Sequence, residues 1–419
     1  MISTDKTTQK MVERVIGLDA HPDTFTAALL RGPTPAAAVT EKIFNQLSMT
    51  QLSSWAQKHT TPNDLFVLEA SGNSFQIVRT LAAVQRQALV LESCQMGKLK
   101  EAHANNDKIS AVRIAKAYLA GTAKEVWVPD TRTQERRDVY HAHRKVVKRT
   151  TQLRNRLQSY LSDNGVRLPK GTPLTNPKEV QGLIKKARDW APLPWQVIEG
   201  LLLELAHADK QRQHWRSLIA QEVLTDATLL SIVRLCGVRE MTAFALGAFI
   251  GDIKRFAQPR KLVKYVGLNP AFDHSGQGEW DGGIGGHGHK DLRTLLIEGA
   301  QAVLRCARTP LAKWGRKLLA RKGVKNLAVA AVARKMVVAV WYLMMGRWTE
   351  LEELDKPLAI KVSKIISQFG AQKLKKLGKK RKAFREEIHQ RLKTGRVYVL
   401  DLNKKFTPKP AVTAVASPA

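Results

Sequence analysis

The sequence predicts a multidomain chain, α/β followed by α: a mixed sheet with helices on its faces, a long basic helical segment, and a mainly helical C-terminal domain. Three observations predict it. Short apolar runs separated by turn residues crowd the first 93 positions and alternate with helical periodicity after residue 49. From Thr131 to Asp163 apolar residues recur every three or four positions with no helix breaker. Beyond residue 225 helical patterns are interrupted by a stretch holding eight glycines in 22 residues, Gly267–Gly288.

Taken in order, residues 12–20, 24–31 and 38–45 read as three strands, parted by the turn-like segments Ala20–Asp23 and Gly32–Pro35. Residues 49–59 read as a helix, 64–70 as a strand, 73–86 as a helix, 87–93 as a strand and 107–120 as a helix. Three strands in a meander, then strands alternating with helices, match a ribonuclease-H/RuvC-like mixed sheet.

The first run, Val15-Ile16-Gly17-Leu18-Asp19-Ala20-His21, is buried in character and ends near a carboxylate, Asp19. The run Asp64–Ala70 ends the same way in Glu69, and Asp107 opens the helical pattern at 107–120. Hard divalent cations take oxygen ligands, and metals can stabilise both oxygens of a phosphoryl displacement, so three acids at element ends suit a metal site. They also suit turns and helix caps, where Asp is favoured.

The 419 residues suffice for two or three domains with ordinary cores. Apolar content of 44% excludes global disorder. The net charge of +33 points to a polyanionic partner, nucleic acid first. Residues 1–120 hold 13 Lys/Arg against 10 Asp/Glu, leaving a net +30 for residues 121–419. The acids therefore sit in a near-neutral region, and the remainder has the charge to hold phosphate backbones. Cys94, Cys236 and Cys306 lack Cys-x-x-Cys spacing, which argues against zinc or a disulfide framework and fits a reducing cytoplasm. Met1–Lys10 is polar, with no signal core. The run Leu327–Met345 is broken by Arg334-Lys335 and reads as a buried helix, so no membrane is expected.

In the long helix Val139, Ala142, Val146, Thr150, Leu153, Leu157 and Tyr160 form a heptad seam, while the other faces carry Arg136, Arg137, Arg144, Lys145, Lys148 and Arg149. A coiled coil that dimerises or lies along nucleic acid explains a face of nearly one sign; a solvated face normally mixes signs. Helical patterns at 178–190 and 194–224 follow a Pro/Gly-rich break, and the second can fold back on the long helix. Leu229–Glu240 and Thr242–Phe249 read as helix, Gly-containing turn, helix, either a phosphate-facing turn or an ordinary packed corner. Gly267–Gly288 reads as a loop with tight turns or close approach to a ligand. Ser275 lies in it, a nucleophile if a base or metal activates it and otherwise a turn-former. Helices at 290–307, 311–322 and 325–346 follow, and residues 370–419 carry 14 Lys/Arg against 3 Asp/Glu. Pro408–Ala419 has the composition of a disordered segment. The expected organisation is 12–128 RuvC-like metal-binding domain, 129–224 basic coiled coil or helical hairpin, 225–350 domain with the Ser275 loop, and 351–419 basic tail.

Gly17-Leu18-Asp19-Ala20-His21, Leu68-Glu69-Ala70-Ser71-Gly72, Asn106–Ala111 and the basic coil resemble the N-terminal half of the DEDD-type insertion-sequence transposases. This is the Piv/MooV-related group that includes the IS110 and IS1111 elements. Arg255-Phe256, Lys261–Pro270, His274-Ser275-Gly276 and Leu292–Ala300 resemble the second half, in order. The resemblance spans about residues 12–346. It implies a transposase or recombinase that cuts and rejoins DNA, with Asp19, Glu69 and Asp107 as ligands of Mg²⁺ (Mn²⁺ as the alternative) and Ser275 as the nucleophile. It further implies donor and target DNA as partners, an element-encoded structured guide RNA, a homodimer or homotetramer, and a bacterial, nucleoid-associated cytoplasmic location. The family's fourth acid is expected at position 110, where this chain has Ser110, one helical turn from Asp107 and without charge. Gly286 and His289 stand where the family often has a basic and an acidic residue. Two other functions fit the same acids: a structure-selective RuvC-like nuclease, which has no use for Ser275, and a catalytically inactive nucleic-acid-binding relative.

Overall fold

The computed structural model describes residues 12–93, 106–169, 172, 174, 176–275, 278–285, 287–347 and 354–393. They form two compact units that divide between Asp130 and Thr131.

The first unit is built on strands β1 (Val15–Ala20), β2 (Thr24–Arg31), β3 (Val39–Ser48), β4 (Leu65–Glu69), β5 (Gln87–Leu91) and β6 (Glu125–Val126). Their order in the sheet is β3-β2-β1-β4-β5-β6. β1–β2 and β2–β3 are antiparallel, β1–β4 and β4–β5 parallel, and β5–β6 antiparallel. The sheet is mixed, as the meander followed by alternation predicts. Thr24–Arg31 coincides with the expected strand; the first strand begins at Val15 instead of residue 12, and the two-residue β6 carries too little pattern to be read.

Alternation along the strands gives each face its own core. Ile16, Leu18, Phe66 and Leu68 pack with Trp55 of helix α1 (Leu52–His59) and with Ile77 and Leu81 of α2 (Ser74–Ala83). Val15, Leu65 and Val67 point the other way, onto Ala111, Ile114 and Ala115 of α3 (Asp107–Leu119). Asp64, which opens the β4 run, is buried and held by Arg14 Nε and an Arg14 terminal nitrogen at 3.0 and 2.7 Å. It is a structural ion pair at the end of β4 opposite to Glu69.

The second unit begins with α4 (Thr131–Asp163), as read from the sequence, then α5 (Pro177–Ala187) and α6 (Pro192–Thr225). Arg136 near the start of α4 reaches Glu222 and Asp226 at the end of α6, and Arg149 reaches Glu204, so the two long helices run antiparallel. The buried seam of α4 is Thr133, Tyr140, His143, Thr150, Leu153, Leu157 and Leu161. It shares three positions with the expected seam, the phase elsewhere being set by α6 of the same chain. Next come α7 (Ala227–Val233), α8 (Glu240–Ile250) and α9 (Pro259–Val266). The stretch expected to be a loop holds two strands: β7 (Pro270–Ser275) pairs antiparallel with β8 (Gly278–Ile284). Glycine's low strand preference hides a hairpin whose register comes from pairing rather than from side-chain pattern.

Three helices follow, α10 (Lys290–Cys306), α11 (Pro310–Lys322) and α12 (Lys325–Met344). α12 is long and apolar enough to cross a membrane, but its Val332, Met336, Val337 and Val340 belong to the unit's core. The basic C-terminal stretch holds three helices: α13 (Lys356–Phe369), α14 (Ala371–Lys376) and α15 (Arg381–Lys393). Leu358, Val362, Ile365, Phe369, Phe384 and Ile388 join the same core. Residues 394–419, including Pro408–Ala419, lie outside the described residues, as does Cys94; Cys236 and Cys306 are free thiols.

Candidate metal centre

β1 and β4 are neighbouring parallel strands with Leu18 beside Leu68, so the next residues, Asp19 and Glu69, end the two strands side by side. By alternation both belong to the face covered by α3, the face of Val15 and Val67. The helix lies against that face at backbone contact. A Cβ on Gly17 would fall 1.9 Å from the Ala111 carbonyl oxygen, so glycine is what lets α3 approach. Asn106 caps the helix, its Oδ1 accepting the Ile109 N–H at 2.9 Å. The cap fixes where α3 starts and puts Asp107 in its first turn, where the helix dipole favours a carboxylate.

The result is a cluster of three side chains from two places in the chain: Asp19, His21 and Asp107 each offer a ligand atom within 4.8 Å of the other two. His21 Nε2 lies 3.5 Å from Asp107 Oδ1. The His21 backbone is fixed as the β1–β2 turn, donating its N–H to Thr24 O at 2.9 Å and accepting from Asn73 Nδ2 at 2.9 Å. Asp19 and Asp107 are half-buried and His21 is exposed, so solvent has access. Ligands of an octahedral cation with bonds near 2.1 Å lie about 3.0 Å apart when adjacent and about 4.2 Å when opposite. The spread of this cluster closes to that with small side-chain movement. Two carboxylates and one imidazole fit a divalent cation, and the nitrogen favours Mn²⁺ more than an all-oxygen set would.

Of the expected ligands, Asp19 and Asp107 come together. Glu69 ends the adjacent strand but is not part of the 4.8 Å group. Ser110 sits one turn along α3 from Asp107, half-buried. His21 is not among the residues the sequence singles out; its signal is the Asp-x-His spacing at a strand end, which keeps both side chains at one end of β1.

Two family descriptions match the chain: "Transposase", which covers the DEDD transposases of IS110, over residues 16–164, and "Transposase IS116/IS110/IS902 family" over residues 230–314. The transposase for insertion sequence element IS1111A of Coxiella burnetii is 28% identical over 254 residues, 58% of this chain and 68% of its own length. A probable family 20 transposase of Pseudomonas aeruginosa is 25% identical over 289 residues, 68% of this chain and 84% of its own. The putative transposase y4pF/y4sB of Sinorhizobium fredii is 26% identical over 351 residues, 80% and 85% of the two lengths. The chain belongs to the IS110 transposase family.

As a transposase it is a DNA-cutting and rejoining enzyme. The first matched segment carries the Asp19–His21–Asp107 cluster and the second carries the β7–β8 hairpin, in different compact units. Ser275 is the last residue of β7 and pairs with Gly278 of β8. Gly276, Gln277 and Gly286 lie outside the described residues, and for residues 271–283 the description covers the backbone. The base of the transposase hairpin is pinned by two glycines at positive φ. A Cβ on Gly267 would meet His287 O at 2.1 Å, and one on Gly288 would meet Gly267 Cα at 2.5 Å. The Arg293 guanidinium donates to His287 O at 2.8 Å. His289 serves as the cap of α10: its Nδ1 accepts the Leu292 N–H at 3.3 Å. Burial lowers its pKa, and its ring lies 4.1 Å from that of Phe249. An uncharged imidazole is the form that can accept at Nδ1.

Proposed function

We propose that this chain transposes an insertion sequence by attack of the Ser275 hydroxyl on a DNA phosphate. Asp19 and Asp107 act as ligands of Mg²⁺ or Mn²⁺, Glu69 completes the set from the adjacent strand end, and His21 adds a nitrogen donor, with the uncharged Ser110 hydroxyl as a candidate fourth site position. The Asp19–His21–Asp107 cluster at the Gly17 contact carries this reading. The Ser275 oxygen bonds to phosphorus, the phosphorus–oxygen bond to one deoxyribose breaks, and that sugar leaves with a free hydroxyl. Attack of another strand's hydroxyl on the serine phosphodiester restores a DNA backbone and frees the serine. The bound cation supplies charge neutralisation at the phosphate. A structured guide RNA selects donor and target DNA, and the chain works as a homodimer or homotetramer. The enzyme works in the bacterial cytoplasm, at the nucleoid.

The test is a crosslinking assay with purified protein, RNA transcribed from the DNA flanking its gene, donor and target duplexes, and Mg²⁺ or Mn²⁺. A denaturant-resistant protein–DNA adduct is expected for the wild type and absent from Ser275→Ala and Asp107→Asn. Cleavage that survives Ser275→Ala without any adduct would identify a RuvC-like nuclease instead. Binding without either product, across RNAs and metals, would identify an inactive nucleic-acid-binding relative.

A further inference from the structure

Residues 356–393 lie outside both family-matched segments and carry 13 Lys/Arg against 2 Asp/Glu. Their cations fall into two sets. One set turns inward and fastens the three helices to the rest of the unit. Lys361 Nζ donates to the carbonyl oxygens of Val233, Leu235 and Val238 at 2.6, 3.1 and 2.9 Å. Arg391 donates to Leu224 O and Thr225 O at 2.7 and 3.0 Å, and Lys373 Nζ to Gln221 Oε1 at 3.0 Å. Together with the buried apolar face, these contacts make α13–α15 a docked module with a fixed surface.

The other set lines that surface. Lys356, Lys364, Arg381 and Arg385, four cations against the single carboxylate of Glu386, border an open groove of about 530 Å³ between α13 and α15. Lys375 and Lys380 border a second of about 520 Å³, and Ser367 and Arg381 belong to both, so the two form one basic strip. Among the described residues, the ion pair on this module is Lys379 with Glu387. Rigid walls that hold like charges this close are self-repelling until a polyanion neutralises them. The module's Phe369 and Phe384 rings are 3% and 6% exposed, and the ring that reaches the groove is the half-buried imidazole of His389, a poor platform for a run of unpaired bases. Walls rich in Lys and Arg, with one half-buried ring among them, fit backbone phosphates of a duplex. The transposase's DNA chemistry makes that duplex DNA.

We propose that the strip formed by the α13–α15 groove and its continuation past Arg381 holds the sugar–phosphate backbone of duplex DNA without reading its sequence. The site is independent of the serine chemistry and of the metal cluster. The test uses the full chain and a fluorescein-labelled DNA duplex of arbitrary sequence, with binding followed by anisotropy from about 50 to about 200 mM NaCl. Lys364→Gln/Arg385→Gln removes two groove charges. The matched control Lys376→Gln/Lys382→Gln removes two exposed charges of the same module that do not line the strip. The slope of log K against log salt is expected to flatten by about 2 in the groove variant, at about 0.9 per phosphate contact, and to stay unchanged in the control. Ser367→Glu, which places a negative charge where the two grooves meet, is expected to weaken duplex binding severalfold with the melting temperature unchanged. Equal losses in groove and control variants, no loss in either, or no weakening by Ser367→Glu would overturn the proposal. So would a larger loss on single-stranded DNA or duplex RNA than on duplex DNA.

Discussion

Replacing Gly17 with alanine tests the contact on which the metal cluster depends. The added Cβ would sit 1.9 Å from Ala111 O, 2.9 Å from Ala111 C and 3.1 Å from Ala115 N, all backbone atoms that no side-chain rotation can move. Ordinary contact begins near 3.4 Å, so α3 must retreat from β1 by about 1.5 Å. Overpacking of this kind costs about 1–3 kcal/mol, and a backbone-to-backbone clash belongs at the upper end. For a unit of this size the melting temperature should drop by roughly 10 °C. Asp107 rides on α3 and Asp19 on β1, so the same retreat pulls the two carboxylates apart. Metal–ligand distances tolerate only about 0.2 Å, and Mn²⁺ affinity should fall at least about tenfold. The assay is thermal unfolding paired with Mn²⁺ titration, with Gly72→Ala as control because a Cβ there meets nothing within 4 Å. A Gly17→Ala protein with unchanged melting temperature and Mn²⁺ affinity would refute the packing argument and the cluster together.

Further expectations follow from the same geometry. His21→Ala should weaken Mn²⁺ binding more than Mg²⁺ binding, since it removes the nitrogen donor; competition titrations check this. His143 is buried with Nδ1 unpartnered, and burial together with Arg216, Arg212 and Arg144 pushes its pKa down to about 4. A base depressed on folding is protonated more readily in the unfolded chain. Stability is therefore full above about pH 6.5 and falls towards pH 4, by about 1–2 kcal/mol after allowance for screening; urea curves of His143→Gln should lose most of that slope. Arg136→Met removes the nearer guanidinium of Glu222 and Asp226, which it holds at 3.0 and 2.7 Å while Arg132 stays at 3.7 and 3.8 Å, and should cost about 1–2 kcal/mol in chemical denaturation. Lys361→Met takes its ammonium from the carbonyls of Val233, Leu235 and Val238, of which Leu235 O keeps the Val238 N–H, and should cost about 2–3 kcal/mol, visible as faster amide exchange in α13.

Elements with a strong period and clear punctuation are legible in the sequence. Thr24–Arg31 and Thr131–Asp163 match to the residue because turns or breaks bound them. The positions of Asp19, Glu69 and Asp107 at element ends are legible for the same reason. Which of them meet is not, because that depends on how closely α3 approaches β1, a distance a single glycine decides. His21 is exposed and follows the strand, so no period marks it. In α13 the apolar positions Leu358, Val362, Ile365 and Phe369 are helically spaced, but a dense lysine background makes the stretch read as tail. The phase of the α4 seam departs from the expected one at Val139, Ala142 and Val146, since burial there follows the partner helix rather than the best heptad.

The antiparallel pair α4–α6 has apolar packing at both ends and polar residues between. At one end Tyr140 packs with Ile219, Val223 and Leu224; at the other Leu153, Leu157 and Leu161 pack with Ile198, Leu202 and Leu205. His143, Thr150 and Asp209 occupy the buried positions that separate them. That polar waist is where bending costs least, because it has the least close-packed apolar surface to disrupt. The 13 residues beyond Thr150 span about 20 Å, so a flexure of about 15° at the waist swings the tip through about 5 Å. Such a flexure would displace the tip while leaving the apolar packing around Tyr140 at the root of the arm in place.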